Sequence, residues 1–390
     1  MRIVHFIECM NPDHGGPPAI VARLSAAQAR LGHDVTVLTT FDPPEVAGAI
    51  QRAFGHIEAF GSVAQRCVGA RSVLSRFGVA THQRMAATLN AAELVHIHAI
   101  WDPLLMRGMR HCRRRQIPLC VTPHGLLTRY SMSNRALKKK LVLALGWSRA
   151  LNGADLLHCL TDDERADVRA LGLTSPLAVL ANAVDPREFV ERDYSRELAA
   201  ALPAHASRRF VLSLGRLHAT KGLDILCEAF ARIAAVQPDV DLVIAGPDFG
   251  YEPRLRAHIE QLGLSSRVHV VGPVFARSKV ALLRAALCLC QPSRQEGFSM
   301  TILEALACRV PVVISTECHF PQIQTEGAGF VVPLDAGATA QALLTLLGNE
   351  QVRKEAAQSA LALVLARYTV DRLAEALVKN YQALGTGAAR

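Results

Sequence analysis

Residues 285–306 decide the fold class, and they read AALCLCQPSRQEGFSMTILEAL. The first six residues form an apolar run that is typical of buried strands in parallel sheets. Pro292 and Gly297 then interrupt the chain, and the apolar spacing from Ile302 to Leu306 predicts a helix. A buried strand, a short loop and a helix form the repeating unit of a doubly wound α/β sheet.

The start of this helix suits a phosphate group. Backbone N–H groups near residues 299–301 lack partners within the helix and lie at the positive end of its dipole. Glu304 follows about one turn later on the face that carries Met300 and Thr301, where it can accept from sugar hydroxyls. Glu296 lies in the loop before the helix. The stretch therefore predicts a ligand that carries both phosphate and sugar.

The same alternation of apolar runs and amphipathic helices extends along all 390 residues, a length that favours two domains. The strands predicted in the first half are Ile3–Ile7, Val35–Leu38, Leu94–Ile97, Leu119–Val121, Leu156–Cys159 and Ala178–Leu180. Those predicted in the second half are Phe210–Leu214, Leu242–Ala245, Val268–Val271, Leu287–Cys290, Pro311–Ile314 and Gly329–Val332. Helices are predicted between them, for instance at Pro18–Leu31, Gly222–Val236 and Thr301–Ala307, and over the last segment from Thr339 to Leu384.

A polar segment from Asn182 to Ser207 separates the two halves and lacks a strand pattern. We therefore predict an N-terminal Rossmann-like domain at residues 1–190, a linker at 191–207 and a C-terminal Rossmann-like domain at 208–370. A final helix at 371–390 is expected to pack back on the first domain. Two such domains leave a cleft at the carboxyl ends of their strands, where ligands of these sheets bind.

The composition excludes several classes of protein. Half of the residues are hydrophobic and 5% are aromatic, which suits packed α/β layers. No apolar run approaches membrane-spanning length, and the first residues resemble a strand rather than a signal peptide, so we expect a cytoplasmic protein. The ten cysteines include no Cys-x-x-Cys pair, which favours buried thiols over a metal site.

The net charge of +9 is concentrated in residues 1–190, which hold 22 Lys and Arg against 15 Asp and Glu. Within residues 135–149 the basic side chains alternate with Leu137, Leu141 and Leu145. This basic amphipathic stretch suits an anionic surface at the inner face of the cytoplasmic membrane, and it equally suits a helix packed on its own domain. No aromatic-and-basic strand pattern accompanies the charge, so no nucleic-acid partner is expected.

Residues 214–222, which read LGRLHATKG, place two cations beside a predicted strand-to-helix turn. The Arg216 guanidinium can donate two hydrogen bonds to phosphate oxygens, and Lys221 supplies a compact positive charge. Together with the helix start after Ser299, they can hold a diphosphate leaving group without Mg²⁺, because fixed cations and backbone donors can stabilise the developing charge.

These motifs occur in the order found in retaining glycosyltransferases of the GT-B fold. The residues that carry the resemblance are Gly15-Gly16, His124-Gly125, Asn182-Ala183-Val184-Asp185, Gly215-Arg216-Leu217 with Lys221-Gly222, and Glu296 with Glu304. The chain resembles the large bacterial family four, which includes mannosyl- and glucosyltransferases of polysaccharide assembly. The resemblance spans nearly the whole chain and is most specific in residues 210–315.

The resemblance implies a GT-B enzyme that needs no metal or cofactor. It would transfer a hexose, with retention, from a UDP- or GDP-sugar to a hydroxyl of a glycan or lipid-linked acceptor. The residues implied in donor binding are Gly15 and Gly16, Arg216 and Lys221 for the diphosphate, Glu304 for the ribose, and the backbone of Phe298, Ser299, Met300 and Thr301. Glu296 would contact the transferred sugar, and His124 would lie by the anomeric centre, orienting the sugar or stabilising positive charge there.

Several residues depart from the family pattern or leave alternatives open. Ala183 stands where the family often has Gly, Pro17-Pro18 follow the two glycines, and Ser299 replaces a frequently Gly-like position. His98, Trp101 and Asp102 fit either an acceptor wall or a buried His with a packing Trp.

Asp239-Val240-Asp241 resembles the metal motif of other transferases, but it begins a strand at the end away from the cleft and is expected to be structural. Two alternative functions stay open: a nucleotide-sugar epimerase of the same architecture and a non-catalytic nucleotide-sugar-binding protein. The combination of Glu296, Glu304 and His124 favours the transferase.

Overall fold

A computed structural model of the chain describes residues 1–72, 74–133, 135–202 and 208–386. The chain divides into two compact units, unit 1 (Met1–Ala183 with Val370–Arg390) and unit 2 (Val184–Thr369). Part of the segment predicted as a linker, Ser195–Ala201, forms a helix in unit 2. Residues 203–207 of that linker and residues 387–390 of the predicted C-terminal helix lie outside the described residues.

Unit 1 is built on a parallel sheet. Its strands are β1 Arg2–Ile7, β2 Asp34–Thr39, β3 Ala64–Cys67, β4 Leu94–His98, β5 Leu119–Thr122, β6 Leu156–Cys159 and β7 Leu177–Val179. Its helices are α1 Gly16–Arg30, α2 Pro44–Phe54, α3 Val79–Leu89, α4 Pro103–Arg115, α5 Arg129–Ser133, α6 Ala136–Val142, α7 Ser148–Leu151, α8 Asp162–Ala170 and α17 Val370–Thr386. The seven strands lie in the order β3-β2-β1-β4-β5-β6-β7.

The prediction of unit 1 from sequence missed β3. The four residues of β3 are all exposed, and their sequence, AQRC, has no apolar run. β3 pairs only with β2 in this sheet and lies at its edge. Since an edge strand needs no buried face of its own, its residues gave no hydrophobic signal.

The two faces of the unit 1 sheet differ in chemistry. Phe6 and Ile97 lie in one hydrophobic cluster with residues of α4. On the other face, the strand register places His5 opposite His96 and His98 opposite Thr122. Helices α1 and α17 contribute the polar side chains that contact these histidines, so this face has a buried polar layer.

Unit 2 is built on a second parallel sheet. Its strands are β8 Arg209–Leu214, β9 Val240–Ala245, β10 Val268–Gly272, β11 Cys288–Gln291, β12 Val312–Ser315 and β13 Gly329–Val332. Its helices are α9 Ser195–Ala201, α10 Leu223–Ala234, α11 Glu252–Gln261, α12 Ala276–Ala285, α13 Met300–Ala307, α14 Gln322–Thr325, α15 Ala336–Gly348 and α16 Glu350–Arg367. The six strands lie in the order β10-β9-β8-β11-β12-β13, and each was predicted from the sequence to within two residues at either end.

Both sheets reverse their strand order at one point, between β1 and β4 in unit 1 and between β8 and β11 in unit 2. In open α/β sheets, ligands bind at the carboxyl ends of the strands at such a switch point. The loops that follow β1, β4, β8 and β11 are therefore the places to look for a site in each unit. Within the described part of the chain, no helix combines the length and apolar character needed to cross a bilayer.

Candidate functional site

Two loops of unit 2 lie in close contact at the switch point, the loop after β8 and the loop after β11. Gly222 has a φ of 63°, and a Cβ at this position would lie 1.9 Å from the carbonyl oxygen of Pro292. Only glycine therefore allows the turn that precedes α10 to approach the second loop this closely. The contact holds the Lys221-Gly222 turn against residues 292–296.

Lys221 and Glu296 form the centre of this contact. Lys221 Nζ lies 2.5 Å from Glu296 Oε1, and the two side chains are 15% and 10% exposed. The same carboxylate oxygen accepts from Gln291 Nε2 at 2.7 Å and from Ser293 Oγ at 2.8 Å. Three donors thus fix the Glu296 side chain, and the carboxylate in turn fixes the position of the Lys221 ammonium.

Arg294 joins the two loops a second time, and sequence reasoning missed it. Its guanidinium donates to both carboxylate oxygens of Asp224, at 2.8 and 2.7 Å, and to the carbonyl oxygen of Ala219 at 2.9 Å. Its backbone N–H donates to Thr220 O at 2.7 Å. A cation and an anion seventy residues apart in sequence carry no local pattern, so only the fold reveals this pair.

Arg216 lies on the exposed side of the same loop. Its guanidinium stands 5.2 Å from the centre of the Phe249 ring. The pKa of the neighbouring His218 is lowered by partial burial and by the positive charges of Arg216 and Lys221. The loop after β8 is therefore a region of positive potential, as the predicted diphosphate site requires.

The N-terminus of α13 offers backbone donors beside these cations. Its N-cap residue, Ser299, makes no side-chain hydrogen bond to the first turn. The Phe298 ring packs on Phe320 and Tyr368, at centroid distances of 4.6 and 5.6 Å, and is buried. The aromatic side chain anchors the loop in the core, and the predicted contact of the backbone from Phe298 to Thr301 with a donor stays a prediction.

Glu304 has a cationic partner that the sequence did not indicate. It lies on α13 and is 3% exposed, and its Oε1 lies 2.7 Å from Lys279 Nζ on α12. Burying a carboxylate is costly unless a charge or hydrogen bonds compensate it, and Lys279 supplies that charge. Glu304 thus has a structural contact in addition to the predicted contact with the ribose, which stays a prediction.

In unit 1, the loop after β1 leads through a short 3-10 turn into α1. Gly15 has a φ of 90° and occupies the N-cap position of this helix. Pro17 and Pro18 carry no amide hydrogen, so the N–H of Gly16 is the donor at the start of α1. The two prolines at the first turn are compatible with the helix, because the N–H groups they remove have no partner within it.

His124 lies in a strained turn after β5 that a buried carboxylate holds in place. His124 and Gly125 have φ angles of 55° and 76°. Gly125 N donates to Glu164 Oε1 at 2.6 Å, and Leu160 N donates to Glu164 Oε2 at 2.7 Å. Burial raises the pKa of Glu164, and these two hydrogen bonds oppose that rise. Glu164 is a positioning residue that sequence reasoning missed.

Burial also makes His124 a neutral side chain. Its pKa is lowered to about 3, mainly by burial and further by the nearby His158. A hydrogen bond of 3.0 Å joins His124 Nε2 to His98 Nδ1. At neutral pH, His124 therefore offers a polar ring without a positive charge.

Of the two alternatives for His98, Trp101 and Asp102, the structure favours the buried, structural one over the acceptor wall for His98 and Asp102. His98 is buried, and it contacts other histidines rather than a surface. Asp102 is the N-cap of α4, accepts from Leu104 N at 2.6 Å and lies 2.5 Å from Arg76. Because the carboxylate is already used to start a helix and pair with an arginine, its place in the fold is structural. Trp101 is half-buried, and the Lys139 ammonium lies 5.7 Å from its ring.

Two groups of residues have the composition of a metal site. Asp241, in the Asp239-Val240-Asp241 motif, is buried and accepts from Arg267 and His269, each at 2.9 Å, which agrees with the structural role expected for it. In unit 1, ring nitrogens of His5, His96 and His98 lie within 4.8 Å of one another. The hydrogen bonds of these three histidines are considered further below.

Comparison with known proteins identifies the family. Residues 14–188 match the family described as Glycosyltransferase Family 4, and residues 195–362 match the family Glycosyl transferases group 1. The chain is a GT-B glycosyltransferase of family four. As the sequence predicted, it is therefore a hexosyltransferase, and the epimerase and non-catalytic alternatives are set aside.

Similar proteins agree with this assignment over nearly the full length of the chain. GDP-mannose:cellobiosyl-diphosphopolyprenol alpha-mannosyltransferase of Xanthomonas campestris is 26% identical, with 99% of this chain and 98% of the relative covered. Phosphatidyl-myo-inositol mannosyltransferase of Mycolicibacterium smegmatis is 29% identical, with 87% and 83% covered. The crystal structure of Anabaena HepE with UDP-glucose matches at a TM-score of 0.78 and 20% identity, with 98% of this chain and 100% of HepE covered. This likeness confirms the predicted fold of two Rossmann-like units.

Proposed function

We propose that this glycosyltransferase moves a hexose, with retention and without a metal, from a nucleotide diphosphate sugar to a hydroxyl of a glycan or lipid-linked acceptor. One observation carries the proposal: the ion pair of Lys221 and Glu296 joins two loops at the switch point of unit 2, and the loop with Glu296 leads into the uncapped N-terminus of α13. Two of the relatives are mannosyltransferases, one of them of GDP-mannose, and HepE was solved with UDP-glucose. GDP-mannose and UDP-glucose are therefore the first donors to test.

The charges of unit 2 suit the two ends of such a donor. Arg216 and Lys221, together with the N–H groups at the start of α13, can hold the diphosphate. Glu304 lies one turn inside α13 and is 3% exposed. One of its carboxylate oxygens can accept from ribose hydroxyls while the other, Oε1, pairs with the Lys279 ammonium. Glu296 can accept from a hydroxyl of the transferred sugar, because three donors to its Oε1 hold the carboxylate in place.

The reaction breaks the bond between the anomeric carbon and the diphosphate oxygen and forms a bond from that carbon to the acceptor oxygen. For retention, the acceptor attacks from the face that the diphosphate leaves, and its proton passes to the departing phosphate oxygen. Negative charge then grows on the diphosphate, where Arg216, Lys221 and the helix N-terminus stabilise it. His124, being neutral, can orient a sugar hydroxyl without repelling the positive charge that develops on the sugar.

The test is turnover by purified protein with GDP-mannose or UDP-glucose and a polyprenol-diphosphate-linked glycan as acceptor. The Arg216→Ala/Lys221→Ala variant should lose at least a hundredfold in kcat/KM, since two diphosphate contacts are removed. The control is Arg256→Ala/Lys354→Ala, which removes the same charge from exposed surface pairs of unit 2 and should retain activity. Wild-type turnover in the first variant, or an inverted anomeric configuration in the product, would contradict the proposal.

The proposal includes contact of residues 135–149 with an anionic lipid surface. Leu137, Leu141 and Leu145 are 86%, 59% and 68% exposed, so these apolar side chains do not pack on unit 1. Leu143 is buried, and Trp147 Nε1 donates to Ile100 O at 2.8 Å, so other residues anchor the stretch. The exposed leucines lie among Arg135, Lys138 and Lys140, which complement anionic headgroups.

Vesicles that contain phosphatidylserine should retain the protein at low salt and release it as salt is raised, because the attraction is screened. The Leu137→Ser/Leu141→Ser/Leu145→Ser variant should bind these vesicles at least tenfold more weakly. A variant with Leu365→Ser, an exposed leucine of unit 2, serves as the control and should bind normally. Equal retention of all three proteins would exclude this surface as the contact.

A further inference from the structure

Unit 1 contains a buried chain of side-chain hydrogen bonds that begins at a backbone carbonyl. His158 Nε2 lies 2.6 Å from Leu180 O, and a carbonyl can only accept, so Nε2 carries a proton. Burial lowers the pKa of His158 to about 4, so the ring is neutral and its Nδ1 has no hydrogen. This Nδ1 must accept from Thr122 Oγ1, at 2.8 Å. The only hydroxyl hydrogen of Thr122 is thereby used.

The direction of each donor is then fixed along the next two residues. Since its hydrogen points to His158, Thr122 Oγ1 accepts from His96 Nε2 at 2.7 Å. His96 is fully buried and its pKa is lowered well below the usual range, so its other nitrogen, Nδ1, is unprotonated. That nitrogen accepts from the Tyr381 hydroxyl at 2.7 Å. The hydrogen of Tyr381 therefore also has one assigned direction.

Gln28 connects this chain to a second group of histidines. Burial raises the pKa of Tyr381, and the Gln28 side chain opposes the rise. Because the Tyr381 hydrogen is already used, its oxygen can only act as an acceptor, so the side of the Gln28 amide that faces Tyr381 is the NH₂ group. Gln28 Nε2 makes no hydrogen bond of normal geometry to the described residues, so Tyr381 orients the amide through its electrostatic field. This orientation leaves Gln28 Oε1 facing His5 Nε2, at 2.7 Å.

The chain continues from Gln28 to His124. His5 Nε2 donates to Gln28 Oε1, and burial, which lowers the pKa of His5 to about 4, leaves its Nδ1 without a hydrogen. His5 Nδ1 accepts from His98 Nε2 at 2.9 Å, and His98 Nδ1 accepts from His124 Nε2 at 3.0 Å. No hydrogen bond of the described residues reaches His124 Nδ1.

We infer that this chain fixes His124 in the tautomer that carries its hydrogen on Nε2 and its lone pair on Nδ1. His124 then presents an acceptor, and not a donor, to its ligand. The consequence rests on the proposed function: an acceptor nitrogen can orient a sugar hydroxyl and face developing positive charge, whereas an N–H would repel that charge. Thr122, Tyr381 and Gln28 are positioning residues, because they act on the ligand only through His124.

The same histidines do not need a metal ion to explain their arrangement. His5, His96 and His98 each use both ring nitrogens in the hydrogen bonds described above. An ion bound among them would have to replace several of these bonds. Elemental analysis of the purified protein should therefore find no stoichiometric metal, and a bound zinc or other ion would overturn the inference.

The direct test is nitrogen NMR of the full chain labelled with ¹⁵N-histidine, which distinguishes protonated from unprotonated ring nitrogens. A His124→Gln variant assigns the signals of His124 among the 15 histidines. We expect an unprotonated Nδ1 and a protonated Nε2 for His124 in the wild type at neutral pH. A protonated Nδ1 would overturn the inference, whatever the enzyme activity.

Variants of Thr122 test whether the chain controls the tautomer from a distance. Thr122→Val keeps the shape but removes the hydroxyl, so a fraction of His124 should move its hydrogen to Nδ1, while Thr122→Ser should keep the wild-type signals. Thr122→Val should also lower kcat about tenfold with less than a twofold change in the KM of the donor, because orientation and not donor binding is altered. Tyr381→Phe provides a second break in the chain if Thr122→Val fails to fold.

Unchanged His124 signals in both Thr122→Val and Tyr381→Phe would show that the chain does not control the tautomer. Failure of the proposed function has a different signature, since the wild-type protein would then show the expected His124 signals but no hexosyl transfer.

Discussion

The two units share an architecture but provide opposite kinds of polar chemistry at their switch points. Unit 2 uses ion pairs, in which Lys221, Lys279 and Arg294 meet Glu296, Glu304 and Asp224. Unit 1 uses neutral groups, because burial lowers the pKa of each histidine in its polar layer. The difference teaches that one sheet topology can carry paired charges in one unit and neutral hydrogen-bonding groups in the other.

The largest expected effect is a selective loss of stability of unit 1 in acid. In the unfolded chain His5, His124 and His158 titrate near 6.5, whereas in the folded unit their pKa values are about 4, 3 and 4. Between these values the unfolded state binds more protons, so stability is complete above pH 6.5 and falls as the pH is lowered towards 4. At pH 5.5 each of the three costs about 1.4 kcal/mol.

Tryptophan fluorescence can follow this transition, since both tryptophans of the chain, Trp101 and Trp147, belong to unit 1. Urea unfolding from pH 7.5 to 5 should show a falling tryptophan-detected midpoint, with a much smaller change in nucleotide binding by unit 2. The raised pKa values of Asp102 and Glu164 act in the opposite direction, but only nearer the carboxyl range. A midpoint independent of pH would refute the neutral character of the layer.

The next effect tests whether the ion pairs of unit 2 stabilise it. Lys279→Met leaves the buried Glu304 carboxylate without its ammonium partner and should destabilise unit 2 by about 3 kcal/mol. Lys354→Met, which removes a pair with both side chains 67% exposed, should change stability by less than about 0.5 kcal/mol. Urea unfolding monitored by circular dichroism, with tryptophan fluorescence unchanged, measures both. Similar values for the two variants would mean that burial does not distinguish these pairs.

A third effect separates the roles of the two carboxylates. Glu296→Ala should lower kcat about a hundredfold, or 2.7 kcal/mol, and leave the affinity for GDP or UDP nearly unchanged, because Glu296 is proposed to contact the sugar. Glu304→Ala should weaken nucleotide binding itself. Calorimetric titration of the nucleotide into each variant decides the matter. An equal loss of nucleotide affinity in the Glu296→Ala and Glu304→Ala variants would contradict these separate roles.

The smallest expected effect is the response to salt. Raising NaCl from about 0.05 to 0.5 M should weaken nucleotide diphosphate binding several-fold, since screening acts on the partly exposed cations of unit 2. The histidine NMR signals of unit 1 should stay in place, because neutral buried groups carry no charge to screen. Salt-dependent shifts of those signals would contradict the conclusion that the polar layer of unit 1 is neutral.

Local patterns predicted much of the fold and part of the site. The strand predicted at Leu287–Cys290 and the helix predicted at Thr301–Ala307 lie within a residue of the observed β11 and α13 at either end. Lys221, Glu296 and His124 were identified by motif, and each lies in the connection that follows a strand of its unit. The edge strand β3 was missed because its residues are exposed, and the pairing of Asp102 with Arg76 was not predicted because the two lie 26 residues apart in sequence.

The sequence by itself determined where most of the strands and helices form, because burial of an apolar face and the φ of glycine or proline are properties of neighbouring residues. It also determined which motifs belong to a family-four glycosyltransferase. Only the tertiary structure decided which polar side chains meet. Tyr381 reaches His96 across 285 residues of sequence, and Lys279 reaches Glu304 across 25. Such pairs depend on strand order, register and helix placement, so the charge of unit 2 and the neutrality of unit 1 emerge only when each sheet is assembled.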